Sequence, residues 1–256
     1  MRVAFAIAAH PDDIEFLMSG TLILLRDAGF EIHYMNLADG YLGTSTLAPA
    51  TIVEKRRREA MNAAESIGAV YHECICSDLA IFYDEPTLAR LSSVIRDVTP
   101  DIVLTHSPVD YMEDHTNTCR LVVTATFARG MPNFPVYPAR PAVTNNVTVY
   151  NAQPYSNLDP LRRPVVPELF VDVTDREEDK VAMLAKHESQ KRWLDESQGL
   201  DSYLQTLRDL DAEIGRLSGQ FSYAEGWRRH LHLGFSDADD DPLREALAGR
   251  ICEAKQ

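Results

Sequence analysis

Apolar residues along the chain fall into short dense runs, separated by stretches in which they recur at helical spacing. Residues 3–9, VAFAIAA, are apolar without interruption, the pattern of a strand buried on both faces. A helix is predicted over residues 16–28 and a second strand over 31–37. The next helix is predicted over 51–67, with Ile52, Ala60, Ala63, Ala64 and Ile67 on its inner side and Gly68 as its stop. A third strand follows over 70–76, a helix over 87–98 closed by Pro100, and a fourth strand over 101–105. Asp114 is the expected N-cap of a further helix over 116–127. Such alternation predicts a parallel sheet with helices on both faces. Ligands of these sheets bind beyond the carboxyl ends of the strands, where the strand order reverses. With an order 3-2-1-4, the ends of the first and fourth strands flank that crevice.

The pattern changes after residue 130. Residues 130–168 are proline-rich and irregular, with a short strand predicted over 147–150 and another over 168–173. A loop this long is expected to be functional, here as a wall of a substrate pocket and a subunit contact. Helices are predicted over 175–196, 201–217, 223–231 and 242–253. The expected fold class is therefore α/β: a Rossmann-like, doubly wound, mostly parallel sheet with C-terminal helices. It is read as one domain over 1–256, with a core over 1–130, the proline-rich loop and late strands over 131–173, and the helices over 174–256.

A chain of 256 residues can bury a substantial core. Its formal net charge of -14 argues against a nucleic-acid surface or an anionic membrane as partner. Met1-Arg2 is followed by a short apolar run that enters Asp12-Asp13, which is not the form of a signal peptide, and no stretch reaches the ~20 apolar residues of a membrane span. The expectation is a soluble cytoplasmic protein that acts on a small molecule and can form a homo-oligomer. Cys74, Cys76, Cys119 and Cys252 have spacings that build no disulfide framework.

Candidate chemistry sits where the first strand meets its helix, in Ala9-His10-Pro11-Asp12-Asp13. His10 and Asp13 are three apart, so a strand-to-helix turn can converge them on one point. Pro11 suits the first helical position and the carboxylates favour the positive end of the helix dipole. The plain reading of this run is a helix cap. However, one imidazole and one carboxylate are two of the three protein ligands of a hydrolytic zinc site, and Asp12 is left over to handle a water's proton. The third ligand type appears where the topology needs it, as His115 after the fourth strand, and Asp114 or Asp110 can orient a ligand ring. One zinc per chain is expected, although two histidines and a carboxylate also hold Fe(II) or another divalent ion. The Gly43-Thr44 loop is a natural lip for a ligand cleft, and Arg56 shares a helix face with Ala60 and Ala63, so it can point inward. Met183, His187, Gln190 and Leu194 form one stripe, which puts a histidine and a glutamine on an otherwise apolar face.

These motifs resemble the PIG-L/LmbE-like zinc-dependent deacetylases, which hydrolyse N-acyl groups from sugars and related small molecules. The resemblance rests on the Ala-His-Pro-Asp-Asp run and the Asp114-His115 pair, with weaker support from Arg56-x-x-Glu59 and His187-Glu188-Ser189-Gln190. It covers residues 1 to about 195. By position it implies that His10, Asp13 and His115 hold zinc, that Asp12 is the general base, and that Arg56 faces the substrate. Many relatives carry a helper histidine three residues before the last ligand, where this chain has Met112. That departure raises His106 and His187 as candidates for the role and gives His187 an expected place in the substrate pocket. The implied function is removal of an N-acyl group, acetyl above all, through a metal-activated water. The alternative is a metal-dependent hydratase or lyase acting on an unsaturated carboxylate, since the family also contains amidases and a hydratase.

Overall fold

The computed structural model describes residues 1–198 and 203–254. Strand β1 (Val3–Ala8) lies between β2 (Glu31–Asn36) and a strand at Ile102–Thr105, parallel to both. β3 (Val70–His72) adds to β2, which makes the Ile102–Thr105 strand β4, and β5 (Thr148–Ala152) adds to β4, again in parallel. Three further strands, β6 (Leu169–Asp172), β7 (Ala224–Arg229) and β8 (Ile251–Glu253), extend the sheet through antiparallel pairs. The order is β3-β2-β1-β4-β5-β7-β6-β8. The order in which strands are added reverses between β1 and β4, in line with the 3-2-1-4 expectation.

Residues 4–9 are buried on both faces for the reason the apolar run implied. Ala4, Ala6 and Ala8 join one core layer with Leu22 and Tyr34, while Phe5, Ile7 and Ala9 join the other with Leu91 and Val122. The helix expected over 16–28 is two helices, α1 (Asp13–Leu17) and α2 (Ser19–Asp27), broken at Met18 with φ −140°. α3 (Pro49–Ser66) and α4 (Glu85–Val98) match the predicted spans closely. α5 (Glu113–Phe127) starts earlier than expected, and Asp114 lies inside its first turn rather than capping it. The reason is that the Asp114 carboxylate is turned away, towards His10 and the Leu79 amide.

The C-terminal third departs most. The helix expected over 175–196 is divided into α6 (Glu177–Leu184) and α7 (Glu188–Gln198). Residues 223–231 are not helical: they hold β7, which is paired on both sides. There Glu225 accepts hydrogen bonds from the Gly20 and Thr21 amides at 2.8 Å each, at the start of α2. Trp227, two residues on and so on the same strand face, donates to the Thr21 hydroxyl at 2.9 Å. The tertiary partners, with Gly226 pressed against Pro167, override the weak helical pattern. The segment 242–253 is likewise α9 at its start (Pro242–Ala246) and β8 at its end, separated by Gly249 at φ +90°. The helix expected from residue 201 is observed as α8, Tyr203–Ser218, and its first two positions lie outside the described residues. No helix among the described residues is long and apolar enough to cross a membrane.

Candidate metal centre and its cavity

The turn after β1 is pinned from three sides. The Asn36 side chain donates to the His10 carbonyl at 2.6 Å, Arg56 donates to the Pro11 carbonyl, and the Asp13 amide donates to the His10 carbonyl at 3.2 Å. Asp12 sits at φ +105°, in the positive-φ region that strains a residue with a side chain. This conformation sends the two adjacent aspartates in different directions: Asp13 towards the histidines, Asp12 towards the cavity.

Asp13 is the centre of the cluster. Its Oδ2 accepts the His10 amide at 2.7 Å and lies 3.3 Å from His10 Nδ1, while its Oδ1 lies 3.3 Å from His115 Nε2. The other nitrogen of each ring faces a second carboxylate: His10 Nε2 is 3.0 Å from Asp114 Oδ2, and His115 Nδ1 is 3.2 Å from Asp110 Oδ1. His10, Asp13 and His115 thus offer ligand atoms within 4.8 Å of one another. His115 is buried, yet its Nε2 has no hydrogen-bond partner, and it is aimed at the point the other two share. Two imidazoles and a carboxylate with oriented rings fit a divalent metal ion. Asp110 and Asp114, expected from the sequence as orienting groups, are the two carboxylates that face these outer ring nitrogens. Asp114→Ala is expected to weaken metal binding about 10- to 100-fold, measured by competition with a chromophoric chelator; an unaltered affinity would remove Asp114 from that role.

Electrostatics follow from the same contacts. Burial disfavours a charged His10, but the Asp114 and Asp13 carboxylates outweigh it and push its pKa up to about 9. His115 is likewise buried, and Asp13 with Asp110 pushes it up to about 10. Burial works against an ionised Asp13 too, and the three surrounding imidazoles overcome it, so its pKa falls well below the usual carboxylate range. The metal-free cluster therefore holds protons where a cation would otherwise neutralise the carboxylates.

Asp12 is different. Burial is the main influence and, with Asp13 beside it, raises its pKa to about 6, against the opposing pull of Arg56, His187 and Tyr203. The Tyr203 hydroxyl donates to Asp12 Oδ2 at 2.7 Å, and an Arg56 terminal nitrogen lies 3.7 Å from Oδ1. Tyr203 opens α8, from the segment in which the sequence showed no chemistry; a lone tyrosine 191 residues from its partner leaves no local signature.

A cavity of about 670 Å³ opens over this centre. Its floor is His10, Asp12, Asp13 and His115; its walls include Phe16, Gly43, Arg56, Asp78, Met112, Tyr155, Gln190, Trp193 and Tyr203. Arg56 reaches the cavity, but its terminal nitrogens donate to the Gly40 and Pro11 carbonyls, and glycine is needed at both 40 and 43 because a Cβ there would lie 2.6 and 2.5 Å from the guanidinium. Gly43 lines the cavity. Thr44 does not: its hydroxyl accepts the Thr46 and Leu47 amides and closes the turn. His187 also departs from its expected place. It is fully buried beneath the wall, 3.3 Å from Glu15, which also accepts the Tyr34 hydroxyl. The break between α6 and α7 rotates it off the stripe that carries Gln190 and Leu194. His106, the other candidate helper, is buried behind the cluster, accepts the Ala9 amide at 2.9 Å and stacks on His115 at 4.1 Å. The two weaker motifs meet: Glu59 accepts the Ser189 amide at 2.9 Å, docking α7 so that Gln190 faces the cavity. Of the proline-rich segment, Tyr155 and Ser156 reach the cavity.

Comparison with known proteins gives three kinds of likeness. Residues 5–126 match the PIG-L family, described as GlcNAc-PI de-N-acetylase. Diacetylchitobiose deacetylase of Thermococcus kodakarensis is 28% identical over 247 residues, covering 89% of this chain and 83% of that protein. 4-Oxalmesaconate hydratase of Pseudomonas putida is 30% identical over 191 residues, 72% of each chain. Among solved structures, N,N'-diacetylchitobiose deacetylase from Pyrococcus horikoshii superposes with a TM-score of 0.75 at 24% identity, covering 94% of this chain and 88% of that one, a likeness of fold.

Proposed function

The chain belongs to the PIG-L (LmbE-like) de-N-acetylase family, and from that premise we propose that it is a metal-dependent amide hydrolase that removes an N-acyl group, acetyl in the first instance, from a small metabolite. The observation that carries this proposal is Asp12: an ionisable carboxylate at the cavity floor, adjacent to the His10-Asp13-His115 set but oriented away from it.

His10, Asp13 and His115 would hold the ion, and zinc suits this donor set, with Fe(II) as the rival. Bound there, a divalent cation supplies a Lewis acid for an acyl oxygen and lowers the pKa of water. Asp12 takes the proton of the attacking water and returns it to the departing amine. Its pKa is pushed up to about 6 in the metal-free fold, and a cation beside it would favour the ionised form that accepts a proton at neutral pH. Tyr203 fixes Oδ2 of that carboxylate, leaving Oδ1 for proton transfer, and Arg56 lends positive charge while holding the walls together. Tyr203→Phe is expected to lower kcat by about 10-fold or more, the worth of a hydrogen bond to a charged group, with KM little altered. In an Asp12→Asn background the same change should have no further effect; an equal loss in both backgrounds would show that Tyr203 does not act through Asp12.

Relatedness to a hydratase of a carboxylate substrate supports the second reading, addition of water to an unsaturated carboxylate. The lining weighs against it. Among its described residues Arg56 is the one arginine or lysine, with both terminal nitrogens engaged, whereas Asp12, Asp13 and Asp78 are acidic. A polycarboxylate would enter that surface without the bidentate clamp such groups usually find. The test is to supply metal-loaded protein with a panel of N-acetylated amines and with an unsaturated dicarboxylate. Equimolar acetate and amine are expected from the first, and no change in absorbance from the second. The reverse pattern would replace the hydrolase with the hydratase.

A further inference from the structure

Resting on the amide-hydrolase proposal, we infer that the substrate is an N-acylated amine whose non-reacting part is an extended apolar group, and that this group lies on a collar of apolar side chains at the cavity mouth. Two observations converge. The first is the collar. Leu42, Leu79 and Tyr111 come from the loops after β2, β3 and β4, all line the cavity, and are 43%, 65% and 56% exposed. Met112 and Trp193, each half-buried, continue that surface inward. Large apolar groups gathered at a reactive cavity, rather than scattered singly, mark a recognition surface.

The second is the state of three charged groups that line it, Asp78, Arg56 and Asp12. The Asp78 carboxylate is taken by the Gly40 and Leu42 amides at 2.7 and 3.0 Å. The terminal nitrogens of Arg56 are taken by backbone carbonyls, and Oδ2 of Asp12 is taken by Tyr203, which leaves Oδ1 to the reacting amide. Those three groups have few hydrogen bonds left to offer a ligand in exchange for its lost water. Oε1 of Gln190 and Nε of Arg56 lack a partner, but both atoms are closed off beneath the cavity surface. A ligand with one amide at the floor and an apolar extension towards the mouth satisfies each of these surfaces. Because the amide must reach the floor, its extension has the collar as its way out.

The test uses methyl, butyl and octyl β-glycosides of N-acetylglucosamine, which share the reacting amide and differ in apolar length. For the metal-loaded protein, kcat/KM should climb by up to roughly fourfold per buried methylene, and by at least about tenfold from methyl to octyl. Leu79→Ser and Tyr111→Ser should each collapse the octyl-to-methyl ratio towards one. Binding is read independently of turnover from tryptophan fluorescence, with Trp193→Phe as the control, using methyl and octyl β-glucosides that carry no amide. Tighter binding of the octyl compound without acetate release from any glycoside would sustain the apolar collar and remove the hydrolase proposal. Hydrolysis or binding with no dependence on chain length would overturn the collar, including the case in which a second copy of this chain covers the mouth in solution.

Discussion

Asp12→Asn is expected to lower kcat by about 10²- to 10⁴-fold, the usual contribution of a positioned acid–base group, while metal content and Tm stay as in the wild type. Asparagine keeps the shape of the side chain and an oxygen to accept the Tyr203 hydroxyl, and it tolerates the positive φ at this position better than most residues. It lacks only the ability to take and return a proton. Asp12 also makes no contact with the histidine rings that an asparagine would break: those contacts belong to Asp13. Steady-state kinetics beside metal analysis and a thermal melt check the expectation. Wild-type turnover in the variant would assign the proton transfer to another group.

His115→Ala is expected to take bound metal from one ion per chain to almost none, because it removes one of three ligands and leaves Asp110 facing a void. The dependence on pH gives the sign of the competition. In the metal-free fold His10 and His115 are pushed up to about 9 and 10, against roughly 6.5 when unfolded. Their protonation therefore contributes stability that is fully present below pH ~6.5 and is lost as the pH rises towards 9 and 10. A cation needs the same nitrogens unprotonated, so it replaces that lost stability. The rise in Tm on adding metal should be small near pH 6, grow towards pH 9, and vanish in His115→Ala throughout. A metal-induced rise retained in that variant would place the ion on other donors.

The convergence of His10, Asp13 and His115 was legible because each half of it is local. His10 and Asp13 are three residues apart at a strand-to-helix turn, Asp114 and His115 are adjacent, and the strand order that brings the halves together follows from simple alternation of elements. Asp110 and Asp114 were legible for the same reason. Tyr203 was not, since its only link to the site is tertiary. His187 was misplaced by assuming one continuous helix over 175–196: the break before Glu188 turns it inward to Glu15, so spacing along the chain no longer reports a shared face. The strand β7 was hidden in a stretch whose pattern fits a helix weakly, and its identity is set by β5 and β6 on either side and by the α2 amides that Glu225 caps. Met112, read from the sequence as a departure from the family pattern, lines the cavity as an apolar wall. That placement agrees with the collar better than with a group that handles protons.

The most direct measurement is a titration of chelator-treated protein with Zn²⁺ while acetate release from an N-acetylated amine is followed, wild type beside His115→Ala. Activity is expected to rise linearly to one equivalent of metal per chain and then stop in the wild type, and to stay absent in the variant. Full acetate release by the chelated wild type, or equal activity in His115→Ala, would contradict a metal-dependent hydrolase built on His10, Asp13 and His115.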